Sequence, residues 1–382
     1  MSRGAGWWPS PSLSHPVSLP PSSATRGGAG RFRPDTAPPA VPRPTGHPAP
    51  PRPDVVDLLV VGAGPIGLAC AVEAERVGLT ARVVEKGALA NSIVGYPTLM
   101  EFFSTPELLE IGGHPLASAL YKPRREEALD YYRAVAQREG LDVRLGERVL
   151  AVEGGAGDFT VVTSRGTHAA RAVVIATGFF DQPNRLGVEG EDLGHVAHYY
   201  KEPYLYSGRR TVVVGAKNSA AKAALEINRH GGDVTMVVRG GEITTSVKYW
   251  IRPDLLNRIE EGSIGAHFGS VVERITPTTV HARTPDGPLA VEADFVLALI
   301  GYHPDFAFLT AAGVELDGPA RVPVFDDDTM ETTRPGLYLA GTVCGGYNTS
   351  RWFIENGRIH AARIAAHLAG RSVPHIEAVG QP

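Results

Sequence analysis

The chain has 382 residues, of which 43% are hydrophobic and 20% charged, an ordinary composition for a globular protein with enough apolar mass for two cores. A formal net charge of −4 gives no support to nucleic-acid or membrane-surface binding, because both favour a basic face. No apolar run approaches the roughly 20 residues that span a bilayer. The two cysteines, Cys70 and Cys344, form no metal-binding spacing, exclude a disulfide framework and fit a reducing cytoplasm.

Residues 1–53 differ from the rest of the chain in composition. They hold 14 of the 31 prolines and one acidic residue, Asp35, with neither a helical nor a strand period. Such a segment buries too little apolar surface to offset its chain entropy, so we expect a disordered tail without chemistry of its own.

From Val55 onward, predicted strands alternate with predicted helices, which indicates parallel sheets with crossover helices. The predicted elements are the strand Val55–Val61, the helix Gly67–Val77, the strand Thr80–Val84, an irregular stretch over 88–122, the helix Arg124–Arg138, the strands Arg144–Val152, Asp158–Thr163, Ala172–Ala176, Thr211–Val214, Asp233–Val238, Phe295–Ile300 and Gly336–Ala340, and the helix Phe353–Leu368. The order predicts an α/β fold in which one Rossmann-like domain interrupts another.

The first glycine-rich turn, Gly62-x-Gly64-x-x-Gly67, lies between a clean strand and a helix. In this spacing the first glycine makes the tight turn, the second lets the backbone approach a pyrophosphate, and the third lets helix and strand pack closely. The helix N-terminus offers free N–H groups to the phosphates. Glu85, 23 residues after Gly62, stands where a carboxylate binds ribose hydroxyls. We therefore predict dinucleotide binding here.

The second turn starts at Gly215, after the strand Thr211–Val214, and departs from the rule. Lys217 replaces the second glycine and Ala220 the third, and the Lys217 ammonium can pair with a phosphate. Asn218 and Ser219 add donors at the helix start. Arg239, 24 residues after Gly215, suits a 2′-phosphate, which favours NADPH over NADH.

A carboxylate at one site and a guanidinium at the other are most economically explained by a flavoprotein that is fed by NADPH. We predict a tail over 1–53, an FAD-binding domain in two parts, 54–182 and 302–382, and an NADPH-binding domain over 183–301. Glycines end two apolar strands, in Ala176-Thr177-Gly178 and at Gly301. We expect the backbone at these glycines to lie beside the cofactors.

Two other features leave alternatives open. Cys344 follows Gly341-Thr342 closely, so it is either a redox thiol near the flavin or a buried structural residue. Lys248-Tyr249-Trp250 either lines a substrate pocket or packs under a loop, and packing is favoured. We find no hydrolytic or metal-binding constellation among the 13 histidines and predict no metal.

The body of the chain, from about Asp54 to Gly370, resembles the flavoproteins with two dinucleotide-binding domains, a superfamily that includes thioredoxin reductases and flavin monooxygenases. More closely, it resembles the bacillithiol disulfide reductase family, in the segments GAGPIGLA, NSIVGYPTLMEFFST, KPRREEALDYYR, ATGFFDQPN, VVGAKNSA, SVKYWIRPD and FIENGR. The resemblance implies NADPH-dependent reduction of a low-molecular-weight thiol disulfide through FAD.

The resemblance also implies sites. FAD is expected at Gly62, Gly64, Gly67 and Glu85, NADPH from Gly215 to Arg239, and a flavin-contacting return segment at Gly341. The further cofactor contacts expected are Pro65, Ile66, Lys86, Val149, Thr177, Gly178, Gly301 and Thr342. Two positions depart from the pattern: a cysteine is expected where Ile66 stands, and an aspartate is usual where Thr342 stands.

The expected enzyme is a cytoplasmic oxidoreductase that passes electrons from NADPH to a small acceptor, with homo-oligomerisation as an option and no nucleic-acid or membrane partner. If a disulfide is the acceptor, Cys344 is the candidate thiol relay. One alternative is a flavin monooxygenase or NADPH oxidase, favoured by the lack of a dithiol. Another is a non-catalytic sensor that binds both nucleotides.

Overall fold

A computed structural model describes residues 54–373, and the expected tail over 1–53 lies outside the described residues. In chain order the strands are β1 (Val55–Val61), β2 (Ala81–Glu85), β3 (Asp142–Leu145), β4 (Val149–Gly155), β5 (Asp158–Thr163), β6 (Gly166–Ile175), β7 (Gln182–Pro183), β8 (Val196–Ala197), β9 (Arg210–Val214), β10 (Asp233–Val237), β11 (Ile264–His267), β12 (Val271–Ile275), β13 (Thr279–Thr284), β14 (Gly287–Glu292), β15 (Phe295–Ala298), β16 (Tyr302–His303), β17 (Leu316–Asp317), β18 (Val322–Pro323) and β19 (Leu337–Leu339). The helices are α1 (Pro65–Arg76), α2 (Asn91–Gly95), α3 (Pro106–Leu109), α4 (Arg125–Arg138), α5 (Asn218–Arg229), α6 (Arg252–Glu260), α7 (Phe306–Ala311), α8 (Ile354–Gly357) and α9 (Ile359–Leu368), with 3₁₀ helices at Tyr204–Tyr206 and Gly341–Gly345.

The first sheet has the order β3-β2-β1-β6-β5-β4, with β19 also paired to β6. Strands β3, β2, β1, β6 and β19 run parallel, whereas β5 is antiparallel to both β6 and β4. Most of β1 is buried, as expected for a central parallel strand that is covered on both faces. The carboxyl ends of β1, β2, β6 and β19 therefore meet at one edge, where ligands bind in open α/β sheets.

The second sheet has the order β11-β10-β9-β15-β8, and all of its strands are parallel. Helix α5 follows β9 and packs against β9 and β10. A separate antiparallel sheet, β12-β13-β14, belongs to the same stretch of chain. Two sheets, one with a parallel core and one fully parallel, each carry a strand–turn–helix unit and confirm the predicted α/β fold with Rossmann-like domains.

The chain passes between the two halves at β7 and β16, which pair antiparallel through Gln182 and His303. The largest apolar core takes its buried residues from 56–175 and from 306–364. Two smaller cores take theirs from 200–299 and from 212–296. Within residues 54–373, none of the helices combines the length and the apolar composition that a membrane-spanning segment requires.

Two predicted elements are divided in the structure, and the stretch over 88–122 that was expected to be irregular contains the short helices α2 and α3. The strand predicted over Arg144–Val152 is divided into β3 and β4, because Gly146 turns the chain at φ 65°. Its first part extends the parallel sheet beside β2, and its second part starts the antiparallel strands. The helix predicted over Phe353–Leu368 is divided into α8 and α9 around Arg358.

Candidate functional site

The first glycine turn shows three different reasons for glycine. Gly62 has φ 109°, and a Cβ there would lie 2.8 Å from the Ala176 carbonyl oxygen. A Cβ on Gly67 would overlap the carbonyl oxygen of Gly62, so both positions require glycine for the turn itself. A Cβ on Gly64 would meet nothing within 4 Å. The packing of the chain leaves open space at Gly64, at the N-terminus of α1, where a pyrophosphate fits.

Glu85, at the end of β2, is held rigidly beside this turn. Its carboxylate accepts the backbone N–H of Ala63 at 2.9 Å and that of Gly87 at 2.8 Å, and the residue is only 6% exposed. Burial raises the pKa of Glu85, and the two N–H donors oppose that rise. The two oxygens keep further lone pairs for ribose hydroxyls.

The ends of β6 and β19 come together at the same edge. A Cβ on Gly178 would lie 3.4 Å from the Thr342 hydroxyl oxygen. The Thr177 hydroxyl is buried and has no hydrogen-bond partner among the described residues. A buried hydroxyl normally has a partner, so its lack of one beside an open turn fits a bound ligand. The donors and the open space at this edge are those that FAD requires.

Ile66 follows Pro65 on the first turn of α1 and is buried. A Cβ on Gly341 would lie 3.2 Å from the Ile66 Cβ, and one on Gly357 would lie 3.6 Å from its Cδ1. Ile66 therefore packs α1 against the return segment, and its side chain offers no thiol chemistry at the position where the resemblance implies a cysteine.

Two of the other expected FAD contacts lie beside Glu85. The Lys86 ammonium is 2.6 Å from an Asp181 carboxylate oxygen and thus forms an ion pair. Val149 begins β4, shortly after Glu147, whose N–H donates to the Glu85 carbonyl oxygen at 2.8 Å.

At the second glycine turn, Gly215 has φ 130°, and a Cβ there would overlap the carbonyl oxygen of Leu299. Ala220, at the third position, is fully buried. Lys217 caps α5 and Arg239 follows β10; both are exposed, and among residues 54–373 neither side chain has an ion-pair partner. One such cation at a helix N-terminus and another after the neighbouring strand are suited to the phosphates of NADPH.

The Asn218 side chain differs from the expected phosphate donor. Its amide nitrogen donates to the Ser246 carbonyl at 3.3 Å, and its oxygen accepts the Lys248 N–H at 2.9 Å. The amide therefore holds the 246–248 loop, and the donors left at this helix start are the exposed Ser219 hydroxyl and backbone N–H groups. Gly301, with φ 98°, follows β15 and approaches the Asn184 amide nitrogen, 3.2 Å from where its Cβ would be.

Both cysteines are free thiols in the core. Cys344 is 0% and Cys70 1% exposed. Burial, and next the nearby Cys70, raises the pKa of Cys344 far above its usual range, and burial does the same for Cys70. A thiol needs an accessible thiolate to exchange with a disulfide, and this environment opposes both requirements. Within the described part of the chain, no His, Cys, Asp and Glu side chains are grouped to hold a metal ion.

An aromatic junction that the sequence analysis missed joins the two halves. Phe180 contacts Tyr96, Tyr199 and Tyr302 with ring centroids 4.9–5.0 Å apart, and Tyr199 stacks on Tyr302 at 5.2 Å. The Tyr199 hydroxyl donates to the Phe180 carbonyl at 2.7 Å. The only sequence signal was the aromatic pair after Gly178, because the other three rings come from distant segments.

Residues 59–341 match the family described as pyridine nucleotide-disulphide oxidoreductase. A relative named bacilliredoxin reductase Bdr, from Bacillus subtilis (strain 168), is 42% identical over 315 residues, which cover 82% of this chain and 97% of the relative. The structure of bacillithiol disulfide reductase Bdr (YpdA) from Bacillus cereus is 40% identical, with a TM-score of 0.81 over 83% of this chain and 100% of that one. Its counterpart from Staphylococcus aureus is 37% identical, with a TM-score of 0.80 over 83% and 98%.

The thioredoxin reductase of T. acidophilum, at 22% identity and a TM-score of 0.66, has the same fold. These matches confirm the expected cofactors and the expected class of enzyme. The chain belongs to the pyridine nucleotide-disulphide oxidoreductase family, as an FAD-dependent enzyme that takes its electrons from NADPH.

Proposed function

We propose that this enzyme uses NADPH to reduce the disulfide of a low-molecular-weight thiol, with bacillithiol disulfide as the candidate substrate. The observation that carries the proposal is the identity of 40% and 37%, over nearly the full length of two solved structures that are named for bacillithiol disulfide reduction. The family match over residues 59–341 includes both glycine turns and Gly341 of the return segment.

The two names differ in the acceptor, since the B. subtilis relative is named for a redoxin protein and the B. cereus one for a small disulfide. Both cysteines of this chain are buried, so neither is presented to a disulfide on a protein surface. That observation favours a small acceptor that enters the molecule. It also leaves Cys344 as a relay only if the core around it opens.

In this proposal the first sheet binds FAD. Gly62, Gly64 and Gly67 shape the phosphate turn, Glu85 accepts ribose hydroxyls, and Thr177 supplies the hydroxyl that lacks a protein partner. The remaining proposed contacts at this edge are Pro65, Ile66, Lys86, Val149, Gly178, Gly341 and Thr342.

The second parallel sheet binds NADPH. Gly215 makes the turn, Lys217 pairs with a phosphate, and Arg239 binds the 2′-phosphate that distinguishes NADPH from NADH. Ser219 and the N-terminal N–H groups of α5 complete the donor set, Ala220 packs under the turn, and Asn218 holds the 246–248 loop. Gly301 returns the chain toward FAD.

Bound FAD would supply the two-electron redox chemistry that couples oxidation of NADPH to reduction of the acceptor. For a disulfide substrate, the sulfur–sulfur bond breaks, both sulfurs are reduced to thiols, and the second proton comes from solvent. The protein has to hold the two nucleotides close together, which is a matter of positioning. The paired strands β7 and β16, where the chain passes between the two halves, contribute to that positioning in this proposal.

We assign residues 54–182 and 302–382 to an FAD-binding domain and 183–301 to an NADPH-binding domain. The separation of the largest core from the two smaller ones, with β7 and β16 at the boundary, supports the assignment. Two free thiols fit a reducing compartment, and we propose a cytoplasmic enzyme.

The test is purification, a visible spectrum for the flavin, and NADPH oxidation with bacillithiol disulfide, glutathione disulfide and cystine as acceptors. We expect thiol release in a two-to-one ratio to the NADPH consumed with at least bacillithiol disulfide. Oxygen alone is the control. NADPH consumption that instead matches hydrogen peroxide or a hydroxylated product would contradict the proposal and identify an oxidase or a monooxygenase.

A further inference from the structure

We propose that Lys122 and Lys248 form a binding subsite for the carboxylates of an anionic disulfide. The inference rests on the proposed function, because it concerns the acceptor of that reaction. The two lysines lie with Phe103 and Trp250 in a lysine–aromatic cluster, to which both halves of the molecule contribute. Phe103 and Lys122 come from the FAD half, and Lys248 and Trp250 from the inserted half.

The cluster concentrates positive charge on one indole ring. The Lys122 ammonium is 3.6 Å and the Lys248 ammonium 5.9 Å from the centre of the Trp250 ring, and Lys248 is also 5.6 Å from the Phe103 ring. Cation–π attraction at such distances holds both cations in place. Neither ammonium has an ion-pair partner among residues 54–373. Two like charges that share a ring without a counter-ion favour the binding of an anion.

The cluster is accessible. Trp250 is 40% exposed, and Tyr249, packed edge-on against it with ring centroids 4.8 Å apart, is 82% exposed. On the other side Tyr121, next to Lys122, is 79% exposed. Aromatic rings next to two ammonium groups suit an organic acid that carries carboxylates on an apolar backbone.

The cluster is connected to the NADPH turn on one side. The Lys248 N–H donates to Asn218, the first residue of α5, so the lysine backbone is fixed to the helix that binds the nucleotide. The Asn218 amide also holds Ser246.

The other side of the cluster is connected to the FAD turn. The Ser104 hydroxyl, next to Phe103, bonds to the Glu355 carboxylate in α8. The last residue of α8, Gly357, packs against Gly341 and Ile66 at the FAD edge. A chain of contacts therefore links the cluster to both nucleotide turns, as we expect of a subsite for the acceptor of this reaction.

The test compares the wild-type protein with the double variant Lys122→Gln/Lys248→Gln. Glutathione disulfide, which carries several carboxylates, and cystamine, which carries two ammonium groups, are titrated into each protein by calorimetry, without NADPH. We expect glutathione disulfide to bind roughly tenfold more weakly to the variant, and cystamine to bind no more weakly. The wild-type affinity for glutathione disulfide should fall with added salt.

The matched control is Arg133→Gln/Lys222→Gln, which removes the same two charges from the surfaces of α4 and α5. It should bind glutathione disulfide like the wild type. Lys122→Arg/Lys248→Arg should restore most of the affinity, because it restores the charge. In turnover, the glutamine variant should raise KM for the anionic disulfide with little change in kcat.

The subsite is refuted if the wild type does not bind glutathione disulfide, if the glutamine variant binds it unchanged, or if the control variant weakens it equally. These results are distinct from failure of the proposed function. A protein that binds the anion through the lysines but reduces no disulfide would keep the subsite and lose the function. Equal KM values in both proteins, with normal thiol release, would keep the function and lose the subsite.

Discussion

His360 links the return segment at Gly341 to the buried core. Its Nδ1 accepts the N–H of Gly341 at 3.0 Å, which places the ring proton on Nε2, and the residue is fully buried against Trp352. Protonation of Nδ1 would remove the acceptor of the Gly341 N–H and leave a positive charge in the core. Burial therefore lowers the pKa of His360 to about 3.

The lowered pKa makes stability depend on pH. Between its usual value of 6.5 and about 3, the histidine binds a proton in the unfolded chain but not in the folded one, so stability falls as the pH falls through this range. We expect His360→Asn to lower stability at neutral pH but to reduce this acid loss by about a few kcal/mol. Urea unfolding at a series of pH values in this range measures the free energy of unfolding of both proteins. The same change at His281, in β13, is the control, and an equally steep acid loss in His360→Asn would contradict the account.

Arg239 is the residue on which the choice of coenzyme depends. It is exposed and has no ion-pair partner in the described part of the chain, so its charge is available to a 2′-phosphate. Arg239→Ala should raise KM for NADPH by about 10- to 100-fold and leave KM for NADH nearly unchanged. Arg229→Ala, at the other end of α5, should alter neither value. Equal increases for both coenzymes would remove the basis for assigning the phosphate to Arg239.

At the scale of secondary-structure elements, predictions from the sequence are most accurate where one short continuous segment determines the element. β1 has the predicted bounds, and the two strand–turn–helix units are where the glycine spacing places them. The strands β3 and β4 were predicted as one strand, Arg144–Val152, because the hydrophobic pattern of β4 runs on from β3 and only the backbone of Gly146 separates them. The Asn218 amide was assigned to phosphate, since the sequence does not show that the 246–248 loop returns to it.

The glycine turn gives a matched pair of variants. Gly64 has φ −71°, and a Cβ there has open space, so Gly64→Ala should change the stability of the FAD-free protein by less than about 0.5 kcal/mol. The added methyl would fill the phosphate space and weaken FAD binding by roughly tenfold or more. Gly67→Ala would overlap the Gly62 carbonyl and should cost about 1–3 kcal/mol of stability.

Thermal unfolding of FAD-free protein and fluorescence titration with FAD measure the two effects separately. Loss of stability without loss of FAD affinity in Gly64→Ala would contradict the assignment of that open space to the cofactor.

At the scale of the whole molecule, the least predictable features are those built from distant segments. Lys122 and Trp250 are 128 positions apart in sequence, whereas each glycine turn lies within 24 positions of the charged residue that was assigned to the same site. The same holds for the aromatic junction, in which Tyr96, Phe180, Tyr199 and Tyr302 meet beside β7 and β16. Local patterns specify each half, whereas the arrangement of the halves depends on contacts that only the folded chain brings together.

The aromatic junction should therefore control how firmly the halves are joined. Phe180 contacts all three tyrosines, so Phe180→Ala should remove about 3 kcal/mol of packing there. We expect faster amide hydrogen exchange in 180–183 and 302–303, with β1 and β10 unchanged in the interiors of their sheets. Tyr199→Phe keeps the ring and loses only the hydrogen bond to the Phe180 carbonyl, and should show a much smaller effect. Exchange that rises equally throughout both sheets in Phe180→Ala would show that the junction stabilises the fold as a whole and does not hold the two halves in a fixed arrangement.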